Sequence, residues 1–167
     1  MRTGSYHVIL EKASNLLFTV SCTLNFESIF KDCVQKLDDT YCLRLYDTMN
    51  GFNGIANPCD YIVFRHNILY LCELKSTQNN VLNFENNIRN VQWDGLSEAS
   101  KIQGVKCYII CWFTEKQITK AYDITELIKH KLEGHKSISY ATNIGITIPA
   151  KVKRVYCEYD FSPLFTI

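Results

Sequence analysis

Asn57-Pro58-Cys59-Asp60-Tyr61-Ile62-Val63-Phe64-Arg65-His66-Asn67-Ile68-Leu69-Tyr70-Leu71-Cys72-Glu73-Leu74-Lys75-Ser76 decides how this chain is read. Two runs of β-branched, aliphatic and aromatic residues flank a short polar tip, the signature of a β-hairpin. A two-residue turn at His66-Asn67 pairs Arg65 with Ile68, and the ladder then sets Asp60 opposite Glu73. Directly opposed strand residues have Cβ atoms roughly 5 Å apart. Lys75 lies two residues beyond Glu73 and therefore on the same face. Two acids and a lysine converge at the open end of the hairpin, an arrangement that packing alone does not call for.

Outward from the hairpin, the periodicity changes. Phe26, Ile29, Phe30, Cys33, Val34 and Leu37 recur at three- and four-residue intervals, predicting a helix over 25–37 capped by Thr23 or Asn25. Tyr41–Tyr46 reads as a strand, and residues 47–57, with their Asn-Gly signals, as a loop. Residues 5–22 mix strand and helix formers and predict one or two short elements. After the hairpin, 76–83 is polar and Asn-rich, a loop. A second helix is expected over about 84–102, with Phe84, Ile88, Val91, Leu96, Ala99 and Ile102 on its apolar face and Gly104 ending it. Val105–Phe113 is apolar throughout, as a central strand covered on both faces would be. Tyr122–Ile128 leads from a strand into a capped helix ending near Gly134, and the C-terminal part has β character at 138–140, 144–148 and 152–159. Strands alternating with helices predict a mixed α/β fold, a central mixed β-sheet flanked by helices. Residues 1–167 read as a single domain, with a core over about 24–128 and a β-rich extension of it over 129–167.

Composition narrows the class. The chain has 167 residues, 47% of them hydrophobic, which is enough for one globular core. No apolar run is long enough to span a membrane, and Met1–His7 is followed by no signal-peptide pattern. The eight cysteines lie mostly in apolar runs, where reduced thiols act as small hydrophobes. That usage fits a reducing, cytoplasmic compartment. There is no Cys-x-x-Cys pair and the four histidines show no ligand spacing, so no zinc site is expected. A net charge of +1 does not advertise a nucleic-acid partner, which leaves any such contact to local patches.

Four places carry chemistry. Opposed carboxylates repel one another unless a divalent cation lies between them, and oxygen donors of this number suit Mg²⁺. A pair of solvated acids at a sheet edge has the same spacing. Lys75 beside them can orient a water or stabilise charge on a phosphate; a salt bridge to either acid satisfies the same geometry. Glu27 lies at the border of the first helix's apolar stripe, as a site acid or as a first-turn acid favoured by the dipole. Gln92 falls within the apolar face of the second helix, where an amide needs partners: the hairpin's charged groups, or a strand carbonyl.

Pro58-x-Asp60, twelve residues, then Glu73-x-Lys75 resembles the signature of the PD-(D/E)xK nucleases. With Phe26-Glu27 on the first helix and Gln92 on the helix after the hairpin, the pattern is similar to RecU-type Holliday junction resolvases over roughly residues 24–128. The resemblance implies a restriction-endonuclease-like αβββαβ core and Mg²⁺, with Mn²⁺ as a substitute, held by Asp60, Glu73 and Glu27. It implies a catalytic set of Asp60, Glu73, Lys75, Gln92 and Glu27, and a homodimer that cuts a four-way DNA junction by paired symmetric nicks. The chain departs from the bacterial proteins in lacking their Asn-Arg-Gly start and the basic segment leading into their stalk. Ser76-Thr77 also follows the lysine where an acid is expected, so the resemblance implies a divergent, shortened, phage-type member.

For DNA contact the densest basic clusters are Lys151, Lys153 and Arg154, and Lys129, Lys131, His135 and Lys136; solvated charged faces explain them equally well. Trp93 and Trp112 read as core aromatics before they read as base-stacking platforms. A linear-duplex nuclease of restriction or RecB type is the competing enzyme reading, although Leu96 stands where the RecB-like pattern has Tyr. A non-catalytic DNA-binding module with the same fold is the third.

Overall fold

The computed structural model describes residues 25–46, 57–152 and 157–166. The expected short elements in 5–22 and the turn signals of 47–56 lie outside these residues.

Helix α1, Phe26–Val34, starts where the Asn25 side chain accepts from the Glu27 amide, and it buries Phe26, Phe30, Cys33 and Val34. That i, i+4, i+7, i+8 spacing is one helical face. Strand β1, Thr40–Arg44, runs antiparallel to β2, Tyr61–Arg65, which turns directly into β3, Ile68–Thr77. The turn is the expected two-residue one. His66 and Asn67 both take positive φ, +51° and +61°, the conformation whose twist matches the flanking strands. Arg65 pairs with Ile68 and Tyr61 with Cys72, so Asp60 comes level with Glu73.

Beyond Thr77 the chain crosses over through β4, Val81–Asn83, α2, Phe84–Asn87, and α3, Asn90–Ala99. It returns as β5, Val105–Phe113, parallel to β3 over nine pairs from Leu69↔Val105 to Thr77↔Phe113. Strand β6, Ile118–Asp123, folds back antiparallel, and Asp123 caps helix α4, Ile124–Leu132, by accepting from the Thr125 amide at 2.8 Å. Strand β7, Ser137–Ser139, pairs with β4, and β8, Ile146–Ile148, adds to β6. Strands β9, Ala150–Val152, and β10, Cys157–Tyr159, form a small hairpin before a 3₁₀ turn at Ser162–Phe165. The central sheet has the order β1-β2-β3-β5-β6-β8 with one parallel pair, a mixed sheet flanked by helices as expected. With the three-residue β4 and the single-turn α2 of the crossover set aside, the order α1-β1-β2-β3-α3-β5 is αβββαβ.

Two cores sandwich the sheet. Alternate residues of β3 (Tyr70, Cys72, Leu74) pack with α1 and with Phe161 and Phe165 near the C-terminus. The opposite face meets Phe84, Ile88 and Leu96 from the crossover and Leu127 from α4. Strand β5 is buried along both faces, which is why it reads as an unbroken apolar run. The described cysteines are all free thiols, buried except for half-buried Cys42.

Two expectations change. The segment 76–83 is not all loop: β3 continues through Thr77, and Val81–Asn83 is a strand paired with Ser137–Ser139. The single helix over 84–102 is two, separated at Ile88, whose backbone is extended. Asparagine side chains cause the break. Asn83 Oδ1 accepts from the amides of Glu85 and Asn86, and Asn87 Oδ1 accepts from the Asn83 amide, closing a single turn on itself. The helix that restarts has a new phase, leaving Val91 39% exposed, and it ends at Ala99, so Ile102 lies in the turn beyond it, 61% exposed rather than in the core.

Candidate active site

Asp60 stands just before β2, where the ladder to β3 ends. Its amide donates to the Cys72 carbonyl at 3.2 Å, and its Oδ2 accepts from the Leu74 amide at 2.8 Å. The carboxylate thus takes the place of a strand carbonyl, which fixes its position on the face that also carries Glu73. Pro58 packs directly on α3 at Gly95, where any Cβ would lie 2.6 Å from the proline Cβ.

Glu73 lies mid-strand and is 2% exposed. Its Oε1 accepts from Gln92 Nε2 at 2.5 Å and pairs with Lys75 Nζ at 2.8 Å. Its Oε2 is buried and has no hydrogen-bond partner among the described residues. Burial above all, and then the nearby charge of Asp60, push its pKa up to about 7 against the opposing pull of Lys75 and Arg89. Lys75 Nζ also donates to Gln92 Oε1 at 3.1 Å, and that oxygen accepts from the Arg89 amide at 3.0 Å. Gln92 is 1% exposed, yet both ends of its amide are used. It reaches back to the start of α3 while clamping the acid and the lysine.

Asp60, Glu73, Lys75 and Gln92 are therefore brought to one face. Glu27 is placed differently. It sits on α1, over the opposite face of the sheet, and is ion-paired with Arg44 of β1; its backbone carbonyl accepts from Tyr61 Oη at 2.9 Å. Among the described residues no hydrogen bond or ion pair joins Glu27 to the other four. Lys129 and Lys131 are exposed on α4, with Lys131 Nζ 4.4 Å from the centroid of Trp93. Lys151 is exposed on β9, and Lys153 and Arg154 lie outside the described residues. Trp112 is buried and Trp93 half-buried beside Phe84, the core positions expected for them.

Three features escape the sequence reading. Arg89 opens α3 and its charge favours ionised Glu73; read as part of one long helix, it gives no signal. Lys120 is 3% exposed, lies in one cross-strand row with Cys111 and Lys75, and donates to the Thr142 carbonyl at 2.5 Å. Burial lowers its pKa. The third corrects an expectation: two histidines do cluster, since ligand atoms of His130, Glu133 and His135 all lie within 4.8 Å of one another.

The donors at the hairpin suit a hard divalent cation. Asp60 and Glu73 offer carboxylate oxygens only, and the unpartnered Oε2 of Glu73 is the kind of buried acceptor that a cation satisfies. No helix among the described residues is long and apolar enough to cross a membrane.

No known protein family and no curated protein matches the sequence. Among solved structures the chain is similar to Hjc, a Holliday junction resolvase from the archaeal hyperthermophile Archaeoglobus fulgidus. The TM-score is 0.43 and the identity 13%, over 73% of this chain and 86% of that one.

Proposed function

We propose that this protein is a metal-dependent DNA endonuclease that hydrolyses phosphodiesters, acting on four-way junctions as a homodimer. The observation that carries the reading is Glu73: a buried carboxylate with one oxygen unpartnered, facing the charge of Asp60 and held by Lys75 and Gln92. Buried carboxylate oxygens are ordinarily hydrogen-bonded, and an open one beside a second acid is where a cation fits.

Asp60 and Glu73 would hold the ion, Mg²⁺ or Mn²⁺. When bound, the ion supplies Lewis-acid polarisation of the phosphate and a more acidic water. Lys75 places a positive charge where negative charge grows on the phosphoryl oxygens. Gln92 fixes both side chains, so that neither has to be ordered when substrate arrives. Asp60 is oriented by the Leu74 amide. Exposed Lys129, Lys131 and Lys151, with Lys153 and Arg154, would meet backbone phosphates and make binding salt-dependent. Paired symmetric nicks require two such sites, hence two copies of the chain.

The test is incubation with Mg²⁺ and a labelled four-way junction or a linear duplex of the same sequence, with Lys75→Ala alongside. Paired nicks near the crossover, lost by 10²-fold or more (roughly the order of an electrostatic catalytic group) in the variant, are expected. Equal cutting of the linear duplex would replace the junction reading with a linear-duplex nuclease. No cutting under Mg²⁺ or Mn²⁺ would leave a non-catalytic DNA-binding module.

A further inference from the structure

We propose that His130, Glu133 and His135 form a second metal site, selective for zinc-class transition ions and independent of the carboxylate site. The local backbone builds it. Helix α4 ends with Glu133 as its C-cap and Gly134 at φ +94°, a conformation that glycine adopts without strain. The Gly134 amide donates to the Lys131 carbonyl at 3.0 Å and the His135 amide to the His130 carbonyl at 3.4 Å. These two bonds are the Schellman closure, which folds the residue after the glycine back over the last helical turn, usually for a hydrophobic contact. Here the two residues brought together are imidazoles, stacked with centroids 3.9 Å apart and planes 12° from parallel. Glu133 adds a carboxylate within the same 4.8 Å.

Two nitrogens and one oxygen form a three-ligand set that leaves a fourth position open to solvent. Imidazole donors select Zn²⁺, Ni²⁺ or Cu²⁺, whereas the all-oxygen donors at Asp60 and Glu73 select Mg²⁺ or Mn²⁺. Bonds of roughly 2 Å must converge on one ion, and rings stacked parallel do not aim at one point. Ligation therefore needs a side-chain rotation. His135 and Glu133 are exposed and can turn, while His130 is half-buried, edge-on to Phe84. Lys129, Lys131 and Lys136 oppose a cation here, but Lys131 is drawn over Trp93, and the carbonyl end of α4 favours positive charge. A bound ion would tie the end of α4 to the segment entering β7, where the Lys136 carbonyl accepts from the Phe84 amide at 3.0 Å.

The test uses metal-free full-length protein titrated calorimetrically with Ni²⁺ and Zn²⁺, with Mg²⁺ added as competitor. Histidine side-chain NMR reports the ligands directly and separates them from the cysteines, which also bind zinc. One equivalent of Ni²⁺ is expected to bind and shift two imidazoles, unaffected by Mg²⁺. His135→Ala and Glu133→Gln, both at exposed positions, should weaken binding by roughly tenfold or more and abolish a Ni²⁺-induced rise in melting temperature. No binding by the wild type, or binding of equal affinity and stoichiometry in His135→Ala, would overturn the proposal.

Discussion

Glu73 is the residue at which stability and chemistry pull apart. Its pKa, raised to about 7 from 4.5, means that folding without a cation favours the protonated form. The sign follows. A carboxyl whose folded pKa lies above its unfolded value contributes stability that is full below pH 4.5 and lost as pH rises through about 7. The cation-free protein should therefore lose about 2–3 kcal/mol between pH 5 and pH 8 through this one group, at about 1.4 kcal/mol per unit of pKa difference. Glu73→Gln, which keeps the shape without the charge, should show a flatter profile, and Mg²⁺ should stabilise the wild type more at pH 8 than at pH 6. Thermal melts in chelator at the two pH values decide it: parallel profiles for both proteins would mean that Glu73 is not strained by burial. Asp60, Glu73 and Lys75 were legible because alternation in a strand and a tight turn fix facing side chains without tertiary knowledge. Gln92 was legible as an amide on an apolar face. Arg89 was not, because its influence on Glu73 depends on a helix start that no periodicity marks.

At the scale of elements, one glycine lets Pro58, two residues before Asp60, pack on α3. Gly95 lies inside α3, where alanine is normally worth up to about 1 kcal/mol of helix propensity. Its Cβ would lie 2.6 Å from Pro58 Cβ, so either the helix or the segment leading to Asp60 must move. Gly95→Ala is expected to lower the melting temperature in spite of its better propensity, and, under the proposed function, to weaken cation binding by displacing Asp60. A higher melting temperature in the variant would show that the contact is soft. The limits of sequence reading are plainest in the same region. A 3.6-residue period runs through Phe84, Ile88, Leu96 and Ala99 and suggests one helix. Asn83 and Asn87 terminate the first turn through side-chain bonds that a hydrophobic pattern does not record. Strand β7 follows the β character read at 138–140, whereas β4, three residues at the end of the Asn-rich segment, exists because it pairs with β7 across a long stretch of chain. A short strand in a polar segment has no local signature to read. The hairpin, by contrast, was legible to its register.

Across the whole molecule, the site is assembled from the start of β2, the middle of β3 and the start of α3, and the crossover that closes the parallel β3–β5 pair also delivers Gln92. Forming the site and forming the sheet's centre are therefore one event. Strands β3 and β5 have neighbours on both sides and a core over each face, whereas among the described residues β1 is an edge strand exposing Tyr41 and Leu43, and β9 and β10 pair only with each other. Native-state hydrogen exchange should resolve this gradient. Amides of Glu73, Lys75, Ile109 and Cys111 are expected to exchange only through global unfolding, with a free energy equal to that from denaturant melts. The hairpin at Ala150–Val152 and Cys157–Tyr159 should open locally, as should β1, with free energies lower by several kcal/mol on the scale of sub-global openings. Uniform exchange free energies across β1, β3 and β10 would refute a centre-out hierarchy. Early exchange confined to Glu73 and Lys75 would separate the site from the core and place it on a mobile part of the sheet. If the hierarchy holds, adding Mg²⁺ should slow the slowest amides, because an ion that binds only the assembled site stabilises the unit that contains it.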